Sequence, residues 1–184
     1  MRQTPWFGRE ERRNIAILGA FCLFLSSIEY MIPKPLPFMR LGLANIPLML
    51  AIDVFPVSAF ALLALLKVTG QAVISGTLFS YVFLFSLVGT ASSALVMYAL
   101  RRALGPKLIG FVGASVSGAL VSNASQLVLA RVFVFGEGIR FLIPPFLGAG
   151  LISGVALGLF CEQFAAHSRW YRQFCRKESV DYTD

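Results

Sequence analysis

Residues 14–32 read NIAILGAFCLFLSSIEYMI, an apolar run that ends in a turn containing Pro33, Pro35 and Pro37. A helix needs about 20 mostly apolar residues to cross the hydrocarbon core of a bilayer, and this run has that length. Its acidic residue, Glu29, lies near the end of the run. A charge at membrane depth costs roughly 2.5–3.5 kcal/mol on insertion scales, and chains that keep one usually use it for a ligand, an ion or a partner. The run therefore predicts a first transmembrane helix that carries a functional carboxylate.

The composition extends this prediction to the whole chain. Of its 184 residues, 57% are hydrophobic and only 14% are charged, whereas soluble domains average about 25% charged residues. We therefore predict an all-α integral membrane protein with six transmembrane helices, at about residues 15–32, 41–52, 56–66, 79–100, 108–133 and 141–164. The second and third helices are predicted to be short. The stretch 67–77 is rich in Gly, Ser and Thr and is predicted to be a partly re-entrant or helix-capping segment shielded by protein.

The basic residues predict the orientation of these helices. Eleven of the sixteen fall in three clusters on one side of the six-helix arrangement: Arg2, Arg9, Arg12 and Arg13; Arg101, Arg102 and Lys107; and Arg169, Arg172, Arg176 and Lys177. Cytoplasmic flanks carry the excess of Lys and Arg in membrane proteins. Residues 1–13 and 167–184 are therefore predicted to be cytoplasmic, on either side of a transmembrane domain at 14–166. Membrane orientation accounts for the net charge of +7, so no nucleic-acid partner is expected.

Polar residues gather in the outer half of the predicted bundle and suggest a binding pocket. Besides Glu29, these are the cationic Arg40, Lys67 and Arg131 and the amides Asn45, Gln71, Asn123 and Gln126. A cationic pocket with orienting amides predicts a small anionic, partly apolar ligand, with the proline loop as its cover. The alternative is that the cations lie at helix ends and snorkel to lipid headgroups. The amides of Asn123 and Gln126 would then link helices through hydrogen bonds.

The inventory of reactive side chains argues against an enzyme. The chain has one histidine and nine acidic residues, and the close aspartate pair, Asp181 and Asp184, lies in the tail. Magnesium-diphosphate chemistry needs clustered carboxylates, and a single histidine supports neither a zinc site nor a bis-histidine haem. The sequence has no Walker A loop for ATP hydrolysis. We therefore expect no catalytic residues, no bound metal and no cofactor.

Small residues recur at four-residue intervals in three predicted helices. They are Ala16 and Ala20 in the first, Gly110, Ala114, Gly118 and Ser122 in the fifth, and Gly150, Gly154 and Gly158 in the sixth. Such stripes let helix backbones approach closely. Packing within the chain accounts for them, and the alternative assigns one stripe to a partner subunit.

The run from Glu29 through the three prolines to Arg40-Leu41-Gly42-Leu43-Ala44-Asn45 resembles the Gx transporter family, also labelled heptaprenyl diphosphate synthase component I. The resemblance extends over about residues 12–162, although lysine is usual in the family at the position of Arg40. The family is similar to the substrate-binding (S) components of energy-coupling factor (ECF) transporters, which are six-helix proteins that pair with a membrane scaffold subunit and two ATPases. The resemblance implies that Ala16 and Ala20 contact the scaffold and that the proline loop covers the substrate.

Three functions are compatible with this reading of the sequence. The favoured one is the substrate-binding subunit of an ATP-driven, ECF-type importer in the bacterial cell membrane. The second is a non-catalytic membrane subunit associated with prenyl diphosphate or quinone synthesis. The third is a membrane component of a flavin- or quinone-linked electron-transfer system, which is weakened because the chain has no residue set for covalent flavin or haem.

The distribution of basic residues generates a prediction of topology. Reporter domains fused after Arg102 and after Glu178 should both be read as cytoplasmic, because the three basic clusters then face the same side of the membrane. An extracellular signal from either fusion would contradict the six-crossing arrangement.

Overall fold

The protein is a bundle of helices. The computed structural model describes residues 9–33, 41–169 and 171, with side chains from residue 12 onward and without that of residue 137. The described part contains six α-helices and no strand: α1 Arg9–Met31, α2 Ile46–Ala51, α3 Val57–Ile74, α4 Tyr81–Leu108, α5 Phe111–Ala130 and α6 Ile143–His167. A 3-10 turn, Leu43–Asn45, precedes α2, and a π-helical and a 3-10 segment, Arg131–Phe135 and Gly136–Phe141, join α5 to α6. The predicted all-helical membrane fold is confirmed.

Helix α2 is much shorter than the predicted second span. Its six residues are all buried, and they extend over only about 9 Å, whereas the hydrocarbon core is about 30 Å thick. The other five helices are long and apolar enough to cross a membrane. Irregular backbone is tolerated at membrane depth only where protein shields it, which is the environment that the buried α2 occupies.

The chain still passes from one end of the bundle to the other between α1 and α3. Gly19 of α1 lies beside Leu66 of α3, and Leu23 lies beside Gly70, so these two helices run parallel. Two consecutive long helices can be parallel only if the connecting chain returns along the bundle. The segment that contains α2 therefore passes from one end of the bundle to the other, and the six-residue helix accounts for only part of that distance.

The prediction of a short third helix, followed by a re-entrant segment at residues 67–77, is wrong, and the helix-capping alternative holds only at the end of that stretch, where Ser75 is the C-cap of α3. Helix α3 continues without a break to Ile74, because its small residues have helical roles. Gly70 provides the space for Leu23 of α1, and Thr69 Oγ1 donates to the carbonyl oxygen of Leu65 at 2.8 Å. The Gly/Ser/Thr-rich composition therefore reflects close helix packing, and it places Lys67 well inside a helix.

The small-residue stripes of α5 and α6 pack within the chain. A Cβ atom at Gly158 of α6 would lie 2.5 Å from the Cα of Val112, and one at Gly154 would lie 3.1 Å from the Cα of Val116. On the opposite side of α5, a Cβ at Gly118 would lie 2.6 Å from Cγ of Met97 in α4. The helices α4, α5 and α6 therefore form an antiparallel unit in which glycine permits backbone contact between α5 and α6 and close side-chain packing between α4 and α5.

A buried arginine joins the connections at the end of the bundle that carries the internal basic cluster. Arg101 of α4 binds Asp53 through two hydrogen bonds, Nε to Oδ1 at 2.8 Å and Nη2 to Oδ2 at 2.6 Å. Its Nη1 donates to the carbonyl oxygen of Ile109, and its guanidinium lies 4.5 Å from the ring centroid of Phe111. Paired, planar recognition of a carboxylate is characteristic of arginine, so Arg101 links the α2–α3 and α4–α5 connections.

The glycine contacts of α6 generate a prediction of stability. Gly158→Ala should lower the unfolding temperature, because overpacking a close contact typically costs about 1–3 kcal/mol. The matched change is Gly148→Ala in the same helix, where an added Cβ meets no atom within 4 Å and alanine favours the helix. Thermal unfolding in one detergent compares the two variants, and equal unfolding temperatures would contradict the contact.

Candidate functional site

The site begins with Glu29, whose side chain is 1% exposed at the C-terminal end of α1. Its Oε1 accepts hydrogen bonds from the backbone N–H groups of Leu41, at 2.9 Å, and Gly42, at 3.3 Å. Its Oε2 accepts one from Ala44 at 3.5 Å. Successive backbone N–H groups that converge in this way form a nest for an anion. The predicted functional carboxylate therefore holds the segment 41–44 against the bundle.

Gly42 makes this nest possible. Its φ of 85° and ψ of 15° lie in the left-handed region, which glycine adopts without a steric penalty. The turn closes with a hydrogen bond from the N–H of Asn45 to the carbonyl oxygen of Gly42 at 2.8 Å. The glycine of the Leu-Gly-Leu-Ala-Asn string thus lets the backbone fold around Glu29. This turn places Asn45 in the interior of the bundle.

Lys67 lies next to this turn. Its side chain is 3% exposed, and its ammonium group donates to Asn45 Oδ1 at 2.6 Å and to Thr90 Oγ1 at 3.1 Å. These bonds connect the 41–45 segment to α3 and α4. Because the ammonium group is buried in the middle of the bundle, snorkelling to lipid headgroups is not the role of Lys67.

These residues line a polar cavity between α1, the 41–49 segment and helices α3 to α6. Its volume is about 40 Å³, and its walls are Glu29, Leu41, Gly42, Ala44, Asn45, Met49, Lys67, Gln71, Thr90, Ser93, Met97, Ser115, Ala119, Ser122, Asn123, Gln126, Gly150, Ser153, Gly154 and Leu157. A single water needs about 10–15 Å³ measured in this way. The cavity is therefore large enough for only a few atoms.

Three polar atoms in the cavity walls have no hydrogen-bond partner among the described residues. They are Oε1 of Gln71, Oε1 of Gln126 and Oγ of Ser93, and all three are buried. Leaving a buried polar group without a partner costs about 1–3 kcal/mol. Buried groups of this kind are normally satisfied by water or a ligand, so the cavity is suited to a polar guest.

The two amides of α5 have different contacts. Asn123 Nδ2 donates to the backbone carbonyl of Phe146 in α6 at 2.8 Å. This is the interhelical hydrogen bond predicted as the alternative to a pocket role. Gln126 Nε2 donates to Ser122 Oγ of its own helix at 3.2 Å. Both amides also line the cavity. Asn123 therefore combines packing and lining, and Gln126 presents an oxygen without a described partner to the cavity.

The structure does not bring Arg131 to this cavity, contrary to the predicted set. Arg131 is exposed at the start of the π-helical segment, where it lines a separate pocket with Arg140. It follows the last turn of α5, beyond Gln126, so it is too far along the helix to reach the interior. Arg40 and most of the proline loop lie outside the described residues.

Sequence reasoning missed the hydroxyl groups of the cavity. Thr90 and Ser93 of α4, Ser115 and Ser122 of α5 and Ser153 of α6 all line it. The signal was present in α5, where residues 115, 119, 122 and 126 fall on one helix face. The predicted pocket includes Gln126, whereas Ser122 belongs to the predicted packing stripe, and the face of Gln126 was not followed back to Ser115. Within the described residues, no three His, Cys, Asp or Glu side chains come together to hold a metal ion.

One family profile matches the chain, that of heptaprenyl diphosphate synthase component I, over residues 18–164. Comparison with curated proteins gives no match, and comparison with solved structures gives none either. The matched range includes the Glu29 turn, Lys67 and every helix that lines the cavity. The chain belongs to the heptaprenyl diphosphate synthase component I family.

Proposed function

We propose that this protein is the substrate-binding membrane subunit of an ATP-driven importer of the ECF type, which takes up a small anionic, partly apolar molecule. The observation that carries the proposal is the enclosed cavity in which the Lys67 ammonium group lies among amide and hydroxyl groups. Ligand sites place a few convergent polar groups in an otherwise apolar pocket. A positive charge in such a site favours an anion, because the one carboxylate of the described lining, that of Glu29, is already engaged by three backbone N–H groups.

The Glu29 nest supports a site that opens to one side. Three hydrogen bonds fasten the 41–44 segment to the end of α1, and that segment forms one wall of the cavity. Release of these bonds would expose Asn45 and Lys67 without unfolding a long helix. The proposed access is therefore from the end of the bundle where α1 finishes.

The apolar part of the walls supports the partly apolar character of the ligand. Met49, Met97, Ala119 and Leu157 line the same cavity as Lys67. Methionine side chains adapt to irregular shapes because they are unbranched and polarizable. A guest with apolar atoms next to its charged group matches this lining better than a wholly polar ion does.

The surface of α1 supports a partner within the membrane. Ala16 and Ala20 are both exposed, and the exposed Ile17, Phe21 and Phe24 lie on the same part of the helix. Small residues at this spacing allow another helix to approach closely. The proposed partner is the membrane scaffold of the importer, which carries the ATPase pair.

A second proposal follows from the family description, which names a component of a prenyl diphosphate synthase. In that case the chain would be a non-catalytic membrane subunit, and a separate catalytic chain would supply the clustered carboxylates that magnesium-diphosphate chemistry needs. The two proposals differ in the partner, because an importer needs an ATPase pair and an accessory subunit needs a soluble synthase.

The role of Lys67 generates a prediction of ligand binding. Native mass spectrometry of the gently purified protein should show a retained anionic molecule, and Lys67→Gln should weaken its binding by about tenfold or more, as expected for loss of a charge-assisted hydrogen bond. Glutamine keeps hydrogen-bonding groups near Asn45 and Thr90, so the unfolding temperature should change little.

Arg131→Gln is the matched variant for this measurement, because it removes a positive charge outside the cavity. It should retain the molecule as the parent protein does. If Lys67→Gln and Arg131→Gln both bind like the parent, the cavity is not the ligand site and the proposed function fails.

The exposed α1 strip generates a prediction of assembly. Ala20→Trp should abolish co-purification of the scaffold subunit while the subunit stays folded, because the bulky ring blocks close helix approach. Ala156→Trp, at an exposed position of α6, should leave co-purification intact. Equal recovery of the scaffold with both variants would remove α1 as the partner surface.

A further inference from the structure

A second cavity lies between α3 and α4 on the outer surface of the bundle. Its volume is about 300 Å³, and its lining is almost wholly apolar, with Phe60, Ala64 and Val68 from α3 and Leu87, Ala91 and Ala94 from α4. The α3 side of this groove extends from Val57 to Val68, about 16 Å along the helix axis. The groove is therefore long, apolar and open towards the surface that faces lipid.

Thr90 lines both the polar cavity and the apolar groove. On α3, Lys67 and Gln71 belong to the polar cavity, whereas Ala64 and Val68 belong to the groove. The hydrogen bond from Lys67 Nζ to Thr90 Oγ1, at 3.1 Å, joins the two helices at the boundary between the spaces. This side-chain contact between α3 and α4 thus lies where the polar cavity adjoins the groove.

The volumes of the two spaces are complementary. The polar cavity, at about 40 Å³, holds a headgroup of a few atoms, whereas pockets for organic ligands measure about 300–1,000 Å³. The groove reaches the lower end of that range by itself. A ligand with most of its atoms in a hydrocarbon chain would use both spaces, with its charged end at Lys67.

We propose that the ligand is a single-chain amphiphile with a carboxylate head at Lys67 and a hydrocarbon chain in the groove between α3 and α4. The inference rests on the proposed function and specifies its substrate class. A carboxylate suits the site because the described lining offers the ammonium group of Lys67, while its one carboxylate, that of Glu29, already accepts three backbone hydrogen bonds from the 41–44 segment. Binding requires Lys67 and Thr90 to separate, because the chain must pass between α3 and α4 to connect the head in the polar cavity with the groove.

The test is photolabelling of the full-length protein in lipid nanodiscs. The probe is decanoic acid with a diazirine at the end of its chain, and its methyl ester is the uncharged counterpart. Labelled peptides are located by mass spectrometry. The acid should label α3 and α4 beside the groove about tenfold more than the ester does, because only the acid has a charged head for Lys67.

Three variants assign the two ends of the probe. Lys67→Gln removes the charge at the head, and Ala91→Phe fills the groove without entering the polar cavity. Each should lower labelling by the acid by about tenfold. Ala99→Phe adds the same ring at an exposed position of α4 outside the groove, and it should leave labelling unchanged.

The outcomes distinguish this inference from the proposed function. Equal labelling by the acid and the ester, or full labelling of Ala91→Phe, would show that the groove is ordinary lipid-facing surface and would overturn the amphiphile. The importer proposal would survive that result if Lys67→Gln still loses the molecule retained on purification. Both proposals fail if Lys67→Gln matches the parent protein in both measurements.

Discussion

The hydrogen bonds between the Glu29 carboxylate and the backbone of residues 41, 42 and 44 are the contact on which the polar interior depends. They place a buried charge where three N–H groups compensate for lost water, and they position the turn that carries Asn45. Asn45 then meets Lys67, so a carboxylate near the end of one helix determines the environment of an ammonium group in the middle of another. Without this nest, Glu29 would be a buried charge at a considerable cost in stability.

The bundle combines a closely packed half with a more open one. Glycine brings the backbones of α5 and α6 into contact and packs side chains of α4 closely against α5, and such packing leaves little room for movement among the three helices. Between α3 and α4, by contrast, an apolar groove separates the helices over much of their length, and the Lys67–Thr90 hydrogen bond joins them at its edge. The α3 side is therefore the more open part of the bundle, whereas α4, α5 and α6 form closely packed walls of the cavity.

Buried polar groups without described partners are concentrated where the helices converge on Lys67. Gln71, Ser93 and Gln126 contribute such atoms to the same cavity, and each represents a cost that close packing of apolar side chains would have avoided. A chain selected only for stability would have apolar residues at these positions. Their presence beside a buried ammonium group is the pattern expected of a site that exchanges water for a polar ligand.

Hydropathy and charge are local properties of a sequence. They determined the helical membrane fold, four of its five long helices and the position of Glu29 near the end of the first, because segment length and apolar content can be read without knowing which helices are neighbours. Whether a side chain points into the cavity, by contrast, depends on which helices surround its own helix. Only the tertiary structure extended α3 to Ile74 and so placed Lys67 inside it, began the second segment with a turn at Gly42 and shortened α2 to six buried residues. It also moved Arg131 outside the cavity and added Thr90 to the cavity wall, since each of these positions is decided by contacts between helices far apart in the chain.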